Sequence, residues 1–480
     1  MSETSQLKAI IWSAMERFST QGLQVLLSII IARMVAPSCY GLVAMLNIFL
    51  AIGQSLIDSG FTSALIQKKD CKDEDYSTVF WFNLLVSIIL YAIIFLCSPF
   101  IAAFYNQPEL ESITKFTTFI FIINAFAIVQ RAKLTKKMDF KSQTKASLIS
   151  VIGSGIVGVI LAYLGFGVWA LVTQSLLLGI IGTISLWYFS SWIPQLIFSW
   201  TSFKELGLFG SRLLLTGLLS TLYNNIYTMV IGKFYTPTEL GYFNRMQHLA
   251  SFPSKNITQI IARAVYPKQC KIQNENELLA YNYIKLLSLS SFGIFPLMCL
   301  FAAIAHPLVL ILLGEKWIDG APLLSLVCFA YIFDHIQYFN WQMLSVKGRS
   351  DLSLYTEILK KIAAAVILVI TIPMGIDKMI MGLCFYSIVD LCIIIPFVHR
   401  LLPLISFKSE VKALWKPLFS SICMYIVVLV ILPLFANSFL QIFFGVVFGV
   451  IIYLLICTIL RMPELKYIMN LFYKNKTRVS

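Results

Sequence analysis

Unbroken runs of about 20 apolar residues recur along the whole chain, and they constrain its fold more than any other feature. Each run is long enough for one α-helix to cross the hydrocarbon core of a bilayer. Polar and apolar residues do not alternate with period two, which argues against membrane β-strands. The runs predict about 14 membrane-spanning helices, at residues 10–32, 40–62, 78–102, 112–130, 147–164, 168–188, 207–232, 240–264, 283–313, 321–343, 355–374, 378–398, 414–435 and 438–460.

The composition agrees with this interpretation. The 480 residues are 59% hydrophobic and only 12% charged. Soluble domains carry about a quarter charged residues, so this chain has too little polar surface to cover a water-soluble body of its size. The sequence therefore predicts an all-α polytopic membrane protein.

The basic residues are distributed asymmetrically between the breaks that separate the runs. Alternate breaks are rich in Lys and Arg, as in residues 131–145, whereas the intervening breaks hold roughly one each. Because cytoplasmic loops carry the excess of Lys and Arg, both termini are predicted to be cytoplasmic. The net charge of +14 is then a signal of topology, and no nucleic-acid partner is expected.

Two pairs of segments about 200 residues apart indicate an internal repeat. Residues 33–41 and 233–241 share a cation, then a proline, a Ser or Thr, and a glycine at the same spacing. Proline prevents the preceding helix from continuing, Ser or Thr caps the next, and glycine allows close helix packing. Residues 134–137 and 344–347 give a second match. The alternative is that both are general helix-turn-helix punctuation.

The repeat predicts how the helices are grouped. An N-terminal lobe over residues 1–200 would hold helices 1–6, and a C-terminal lobe over 201–404 would hold helices 7–12. Residues 405–480 would add helices 13 and 14 and a basic cytoplasmic tail. Six helices per lobe give both lobes the same orientation, with a pseudo-twofold axis along the membrane normal and a central cavity between them.

Polar residues lie at helical spacing on four predicted spans, the first, second, seventh and eighth, which are equivalent in the repeat. Ionisable groups in hydrocarbon are costly and normally face a cavity or one another. A single polar residue more often makes a contact between helices, but four aligned stripes favour a substrate cavity. The candidate binding residues are Arg17, Gln21, Gln24, Asn47, Gln54, Asp58, Arg212, Asn224, Arg245, His248 and Lys255.

The sign of the charge in these spans indicates a class of ligand. Guanidinium groups bind phosphate or carboxylate with two parallel hydrogen bonds, so an excess of arginine suits an anionic substrate. The alternative is internal pairing, such as Arg17 with Glu16 or Asp58. Weaker candidates for coupling to H⁺ or Na⁺ are Glu16, Asp334, His335 and Asp390.

Sequence signatures of enzymes are missing. We find no Walker A lysine motif and no GxSxG or HExxH motif. The ten cysteines are scattered and form no CxxC or Cys/His cluster. We therefore predict a transport protein without catalytic residues, metal site or cofactor.

Several consecutive motifs, dense over residues 10–190 and sparser afterwards, resemble one family. They include Trp12–Phe18, Ala32–Pro37, Asp58–Phe61, Ser63–Lys69, Asp75–Phe80, Gln130–Ala132, Met138–Lys141 and Gly165–Leu171. The chain is similar to the Wzx-type polysaccharide and O-antigen flippases of the multidrug/oligosaccharidyl-lipid/polysaccharide exporter superfamily. The likeness is strongest to the colanic-acid exporter branch.

The resemblance implies a fold, a substrate and a location. The fold has two six-helix lobes with helices 1, 2, 7 and 8 lining the cavity. The substrate is an undecaprenyl-diphosphate-linked oligosaccharide, moved from the inner to the outer leaflet of the bacterial cytoplasmic membrane by alternating access, for surface polysaccharide biosynthesis. Membrane lipid, H⁺ or Na⁺, and a polysaccharide polymerase are the implied partners.

Two other functions stay open. A small-molecule cation antiporter of the related multidrug type would have a net acidic or apolar cavity. A membrane glycosyl polymerase or ligase would carry a long outer loop, whereas nearly all outer breaks here are short.

Overall fold

The computed structural model describes residues 20–467 other than 59 and 69, together with residue 470. Ten helices among these residues are long and apolar enough to cross a membrane. They confirm the prediction of an all-α polytopic membrane protein. Glu16 and Arg17 lie outside the described residues.

The helices of the first half agree closely with the predicted spans. The third and fourth spans extend further at both ends than the apolar runs alone indicated. The helices are α1 Thr20–Met34, α2 Pro37–Asp58, α3 Phe61–Gln67, α4 Asp73–Tyr105, α5 Glu109–Thr117, α6 Ile120–Lys136, α7 Phe140–Tyr163, α8 Val168–Ser190 and α9 Trp200–Phe234.

The second half is helical in the same way, and the span predicted over 283–313 is divided into α11 and α12. The helices are α10 Pro237–Lys271, α11 Asn276–Ala303, α12 Ala305–Leu313, α13 Ala321–Tyr331, α14 Asp334–Val346, α15 Ser350–Thr371, α16 Ile376–Leu401, α17 Phe407–Ile431 and α18 Ser438–Ile459.

Four helices, α1, α9, α10 and α15, coincide with predicted spans without being among the ten apolar ones. The described part of α1 is short, and the 35 residues of α10 include many polar and charged side chains. The count of 14 spans remains a prediction.

The chain divides into two compact units, residues 1–241 and 242–480. In the first unit α7 packs along α8, α6 contacts α8 and α4, and α2 packs against α9. In the second unit α11 packs against α17, and α16 contacts α13 and α15. The lobe boundaries predicted at 200 and 404 remain predictions.

An extended linker, residues 191–199, is fastened to the first turns of α4 in the first unit. Ser77 Oγ accepts a hydrogen bond from the backbone N–H of Gln195 at 3.0 Å, and Thr78 Oγ1 accepts one from Ser199 at 2.9 Å. Trp81 Nε1 donates to the carbonyl of Gln195 at 2.8 Å. These contacts explain the motif Asp75–Phe80. Its hydroxyl groups accept hydrogen bonds from backbone N–H groups of the linker, which are not paired within a helix or strand.

The two proline turns of the repeat meet inside the first unit. A β-carbon on Gly41 would lie 1.7 Å from the carbonyl oxygen of Pro237, and one on Gly241 would lie 2.0 Å from that of Pro37. Each glycine thus packs on the backbone of the other turn. The sequence predicted such a close approach at the two glycines. Because each glycine contacts the proline of the other turn in the same way, the contacts support the internal repeat.

The second matching pair of segments ends two helices in the same way. After α6 the N–H groups of Met138 and Asp139 donate to the carbonyls of Thr135 and Leu134. After α14 the N–H groups of residues 348 and 349 donate to those of residues 345 and 344. Met138 and Gly348 both have positive φ, 55° and 67°. This double hydrogen bond with a left-handed residue is a Schellman-type helix end, so the sequence match reflects matching structure.

Candidate functional site

Several predicted binding residues lie on α2 in the first unit. Asn47 is exposed and Gln54 is half-buried. Asp58 accepts a hydrogen bond from the Thr62 hydroxyl at the start of α3. Beside this stripe, Ser55 Oγ lies 3.2 Å from Thr221 Oγ1 and joins α2 to α9.

Gln54 connects α2 to a groove between α1, α6, α7 and α8. Its Oε1 accepts a hydrogen bond of 2.8 Å from Nδ2 of Asn124, which lines the groove. Gln24 on α1 lines the same groove, so the structure brings two predicted stripes towards one place. We call this feature the α6–α8 groove.

The α6–α8 groove has a volume of about 610 Å³, within the range of small-molecule sites. On α6 its lining runs from Ile120 to Arg131, and a rise of about 1.5 Å per residue makes this wall about 16 Å long. Its polar lining residues include Gln24, Asn124, Arg131, Gln143, Ser150, Ser175 and Thr183. Except for Gln24, the sequence interpretation did not place them in a site. Single Ser, Thr and Asn residues in apolar runs carry no distinctive signal, and Arg131 and Gln143 lie in the break that was interpreted as a topology signal.

Two other predicted residues of the first unit, Gln21 and Asn224, are not among the residues that line the groove. Gln21 on α1 is half-buried, and Asn224 on α9 is exposed. The Arg212 side chain lies outside the described part of the structure, although its backbone continues α9.

In the second unit, α10 carries three predicted binding residues. Arg245 is half-buried, and His248 and Lys255 are exposed. Lys255 Nζ lies 5.2 Å from the centroid of the Tyr331 ring, which is within cation–π range. These three side chains form part of the polar stripe that the sequence of α10 predicts.

Two of the candidates for ion coupling lie at the start of α14. Asp334 is half-buried, whereas His335 is fully buried. His335 Nε2 lies 2.8 Å from Ser291 Oγ, and its ring contacts Phe295 edge to face. These contacts join α14 to α11 and give the imidazole a place in the helix packing.

Asp390 on α16 pairs with a lysine that the sequence interpretation did not single out. Lys360 Nζ on α15 lies 2.7 Å from Asp390 Oδ1, and the two side chains are 5% and 9% exposed. Glu357 lies one turn before Lys360, with its Oε1 3.7 Å from the ammonium. The available signal was the presence of Glu357, Lys360 and Lys361 inside a predicted span.

A charged cluster fastens the ends of α3, α4 and α9 in the first unit. Lys68 Nζ lies 3.1 Å from Asp75 Oδ1 and 2.9 Å from Glu205 Oε2. Burial alone would lower the pKa of Lys68, but its hydrogen bonds to Glu205 and Asp75 outweigh that effect and raise it. Lys68 therefore stays charged at neutral pH, and its role is structural.

Comparison with known proteins defines the class. A family model described as "Polysaccharide biosynthesis protein" matches residues 30–322, more than half of the chain. The chain belongs to this family of polysaccharide biosynthesis proteins. The match confirms the family predicted from the motifs.

Individual relatives share less than 30% sequence identity with this chain. The chain is 27% identical over 304 residues to the teichuronic acid biosynthesis protein TuaB of Bacillus subtilis, covering 63% of each chain. It is 24% identical over 425 residues to the lipopolysaccharide biosynthesis protein WzxC of Escherichia coli, covering 87% of this chain and 85% of that protein.

Among solved structures, the chain is similar to the lipid II flippase MurJ in an inward closed conformation. The TM-score is 0.77, and the match covers 94% of this chain and 98% of that chain at 14% sequence identity. At this identity the likeness establishes the fold alone.

Proposed function

We propose that this protein is a flippase that moves an undecaprenyl-diphosphate-linked oligosaccharide from the inner to the outer leaflet by alternating access. Its place is the bacterial cytoplasmic membrane, with both termini in the cytoplasm. The observation that carries the proposal is the polar α6–α8 groove within a helical membrane bundle of a polysaccharide biosynthesis family. Hydrophilic cargo needs such a lining, since an unpaired polar group in hydrocarbon is costly.

The names of the relatives support this direction. TuaB is named for teichuronic acid biosynthesis, WzxC is named for lipopolysaccharide biosynthesis, and MurJ is named as a flippase of lipid II. The predicted cavity residues Arg17, Arg212 and Arg245 would hold the anionic part of the cargo, because guanidinium groups pair with phosphate. The coupling ion would be H⁺ or Na⁺, and a polymerase would use the product.

Transport by the purified protein in proteoliposomes tests the proposal. A fluorescent lipid-diphosphate sugar is incorporated, and its exposure to a membrane-impermeant quencher is followed over time. We expect protein-dependent movement that falls at least about tenfold in Arg17→Ala and Arg212→Ala, which remove charge-assisted hydrogen bonds. Absence of movement in the unmodified protein, with unchanged surface polysaccharide on deletion, would remove the proposal.

A further inference from the structure

Resting on the proposed function, we infer that the α6–α8 groove is a subsite for a sugar ring of the cargo and does not hold its diphosphate. The argument rests on the balance of hydrogen-bond donors and acceptors in the groove. Phosphate oxygens at neutral pH only accept hydrogen bonds, whereas each sugar hydroxyl both donates and accepts. The two chemical groups therefore need different linings.

The hydroxyl groups of the groove present acceptors. Ser150 Oγ donates its hydrogen to the carbonyl of Ser147 at 2.8 Å, and Ser175 Oγ donates to that of Val172 at 2.8 Å. Thr183 Oγ1 donates to the carbonyl of Ile123 on the neighbouring helix at 3.1 Å. With these hydrogens used, the lone pairs of the three oxygens can accept from a ligand.

The amides are also partly engaged as donors. Asn124 donates one hydrogen to Gln54, and Gln143 donates one to Thr135 Oγ1 at 3.3 Å. Each keeps one amide hydrogen and acceptor capacity on its carbonyl oxygen. Between Gln24 and Arg131, the five polar side chains Asn124, Gln143, Ser150, Ser175 and Thr183 thus offer more acceptors than donors. This stretch suits the O–H groups of a sugar, whereas it would leave most oxygens of a diphosphate unpaired.

Arg131 is exposed and lies at one end of the groove. Within the described residues no carboxylate forms an ion pair with it. A guanidinium offers five donors, so Arg131 would bind the ring oxygen or a carboxylate of the sugar. One cation at the end of an acceptor-rich groove is consistent with a neutral or uronic sugar.

Gly182 of α8 lines the groove and leaves room beside Ser150, whereas a β-carbon on Gly179 would lie 2.6 Å from Ile120. A β-carbon on Gly182 would lie 3.6 Å from the nearest atom of Ser150, so alanine fits there while a larger side chain would enter the groove. Apolar lining residues such as Leu178 and Leu186 would contact the C–H faces of the ring. A larger side chain at position 182 would therefore fill the space for the ring, and this tests the subsite directly.

Binding of two probes to the purified full-length protein tests the inference. The methyl ester of farnesyl diphosphate and farnesyl-diphosphoglucose carry the same charge and differ only in the group on the terminal phosphate, so the ratio of their Kd values reports the subsite. We expect the sugar probe to bind about tenfold more tightly. Gly182→Leu should abolish that difference, and Ser150→Ala should reduce it about two- to tenfold. Both should leave the Kd of the methyl ester unchanged.

Matched variants separate this outcome from damage to the fold. Gly182→Ala and Ser154→Ala should keep the ratio, because alanine fits at 182 and the buried Ser154 hydroxyl bonds its own helix without lining the groove. Equal Kd values for the two probes, or binding of neither, would overturn the sugar subsite. The sugar subsite would also be overturned if Gly182→Leu weakened the binding of both probes equally while its melting temperature stayed unchanged.

The inference and the proposed function fail differently. A protein that moves the lipid-diphosphate sugar in proteoliposomes but does not distinguish the probes lacks the sugar subsite and keeps the function. A protein that binds the sugar probe selectively and moves no lipid-linked sugar would keep the subsite and overturn the flippase.

Discussion

Single residues decide the closest helix contacts of this protein. Gly41 and Gly241 lie against the carbonyl groups of Pro237 and Pro37, where no β-carbon has room. Ser77 and Thr78 hold the linker through one hydroxyl oxygen each. These positions belong to motifs that are visible in the sequence, and the contacts explain what the motifs do.

Gly41→Ala and Gly241→Ala should each destabilise the protein by about 1–3 kcal/mol, because the new methyl group overpacks a backbone contact that cannot yield cheaply. Gly293→Ala is the matched control, since a β-carbon there meets nothing within 4 Å. The thermal midpoint of the purified protein measures the difference. Equal midpoints for Gly41→Ala and Gly293→Ala would contradict the described contact.

Ser77→Ala and Thr78→Val should each cost about 1–3 kcal/mol, because each leaves a backbone N–H of the linker without an acceptor. Faster cleavage within residues 191–199 by an added protease is the second expected effect. Ser98→Ala on the same helix removes only a hydroxyl that donates to its own helix, so it should change neither measurement appreciably. A control that behaves like Ser77→Ala would argue against linker docking.

At the scale of helices, α15 and α16 are joined by the buried pair of Lys360 and Asp390. Neither charge could stay buried in hydrocarbon alone, so each helix depends on the other for compensation. The carboxylate of Asp390 thus already has an ammonium partner from within the chain. Binding of H⁺ or Na⁺ at Asp390 therefore has to compete with Lys360.

Asp390→Ala should destabilise the protein by about 3–5 kcal/mol, because it leaves the Lys360 ammonium buried without its partner. The double variant Lys360→Leu with Asp390→Leu should recover most of that loss, since apolar residues of similar size replace a buried ion pair at little cost. Unfolding in denaturant measures both.

Lys361→Ala is the matched control for this pair. Its partner Glu357 lies 3.3 Å away and both side chains are more than a third exposed, so its loss should cost less than about 1 kcal/mol. Equal losses of stability in Asp390→Ala and Lys361→Ala would mean that the buried pair contributes no more to stability than an exposed pair.

At the scale of the whole molecule, the distribution of charge sets the direction in which the helices cross the membrane. The Lys- and Arg-rich breaks predict cytoplasmic termini, and the break at residues 432–437 would then be outside. In a variant without native cysteines, Ala436→Cys should react with a membrane-impermeant thiol reagent in intact cells. Lys137→Cys, which is also exposed, should react only after permeabilisation. The reverse pattern would invert the topology.

The sequence predicted the helical membrane fold well because its signals are local. A run of about 20 apolar residues is enough to place a span, and Pro, Gly and capping residues mark its ends. Polar helices such as α10 were also recognised, through their spacing and the repeat. The ends of the spans were less well predicted, since α4 and α9 extend beyond the apolar runs.

By itself, then, the sequence determined the class of fold, the family and the helices that carry polar stripes. All three depend on residues that are close together in the chain. Only the tertiary structure decided which side chains meet: Gln54 with Asn124, Lys360 with Asp390, and the hydroxyl groups of α7 and α8 around one groove. The physical reason is that such contacts depend on the rotation and depth of helices far apart in the chain, and these are set by packing between helices.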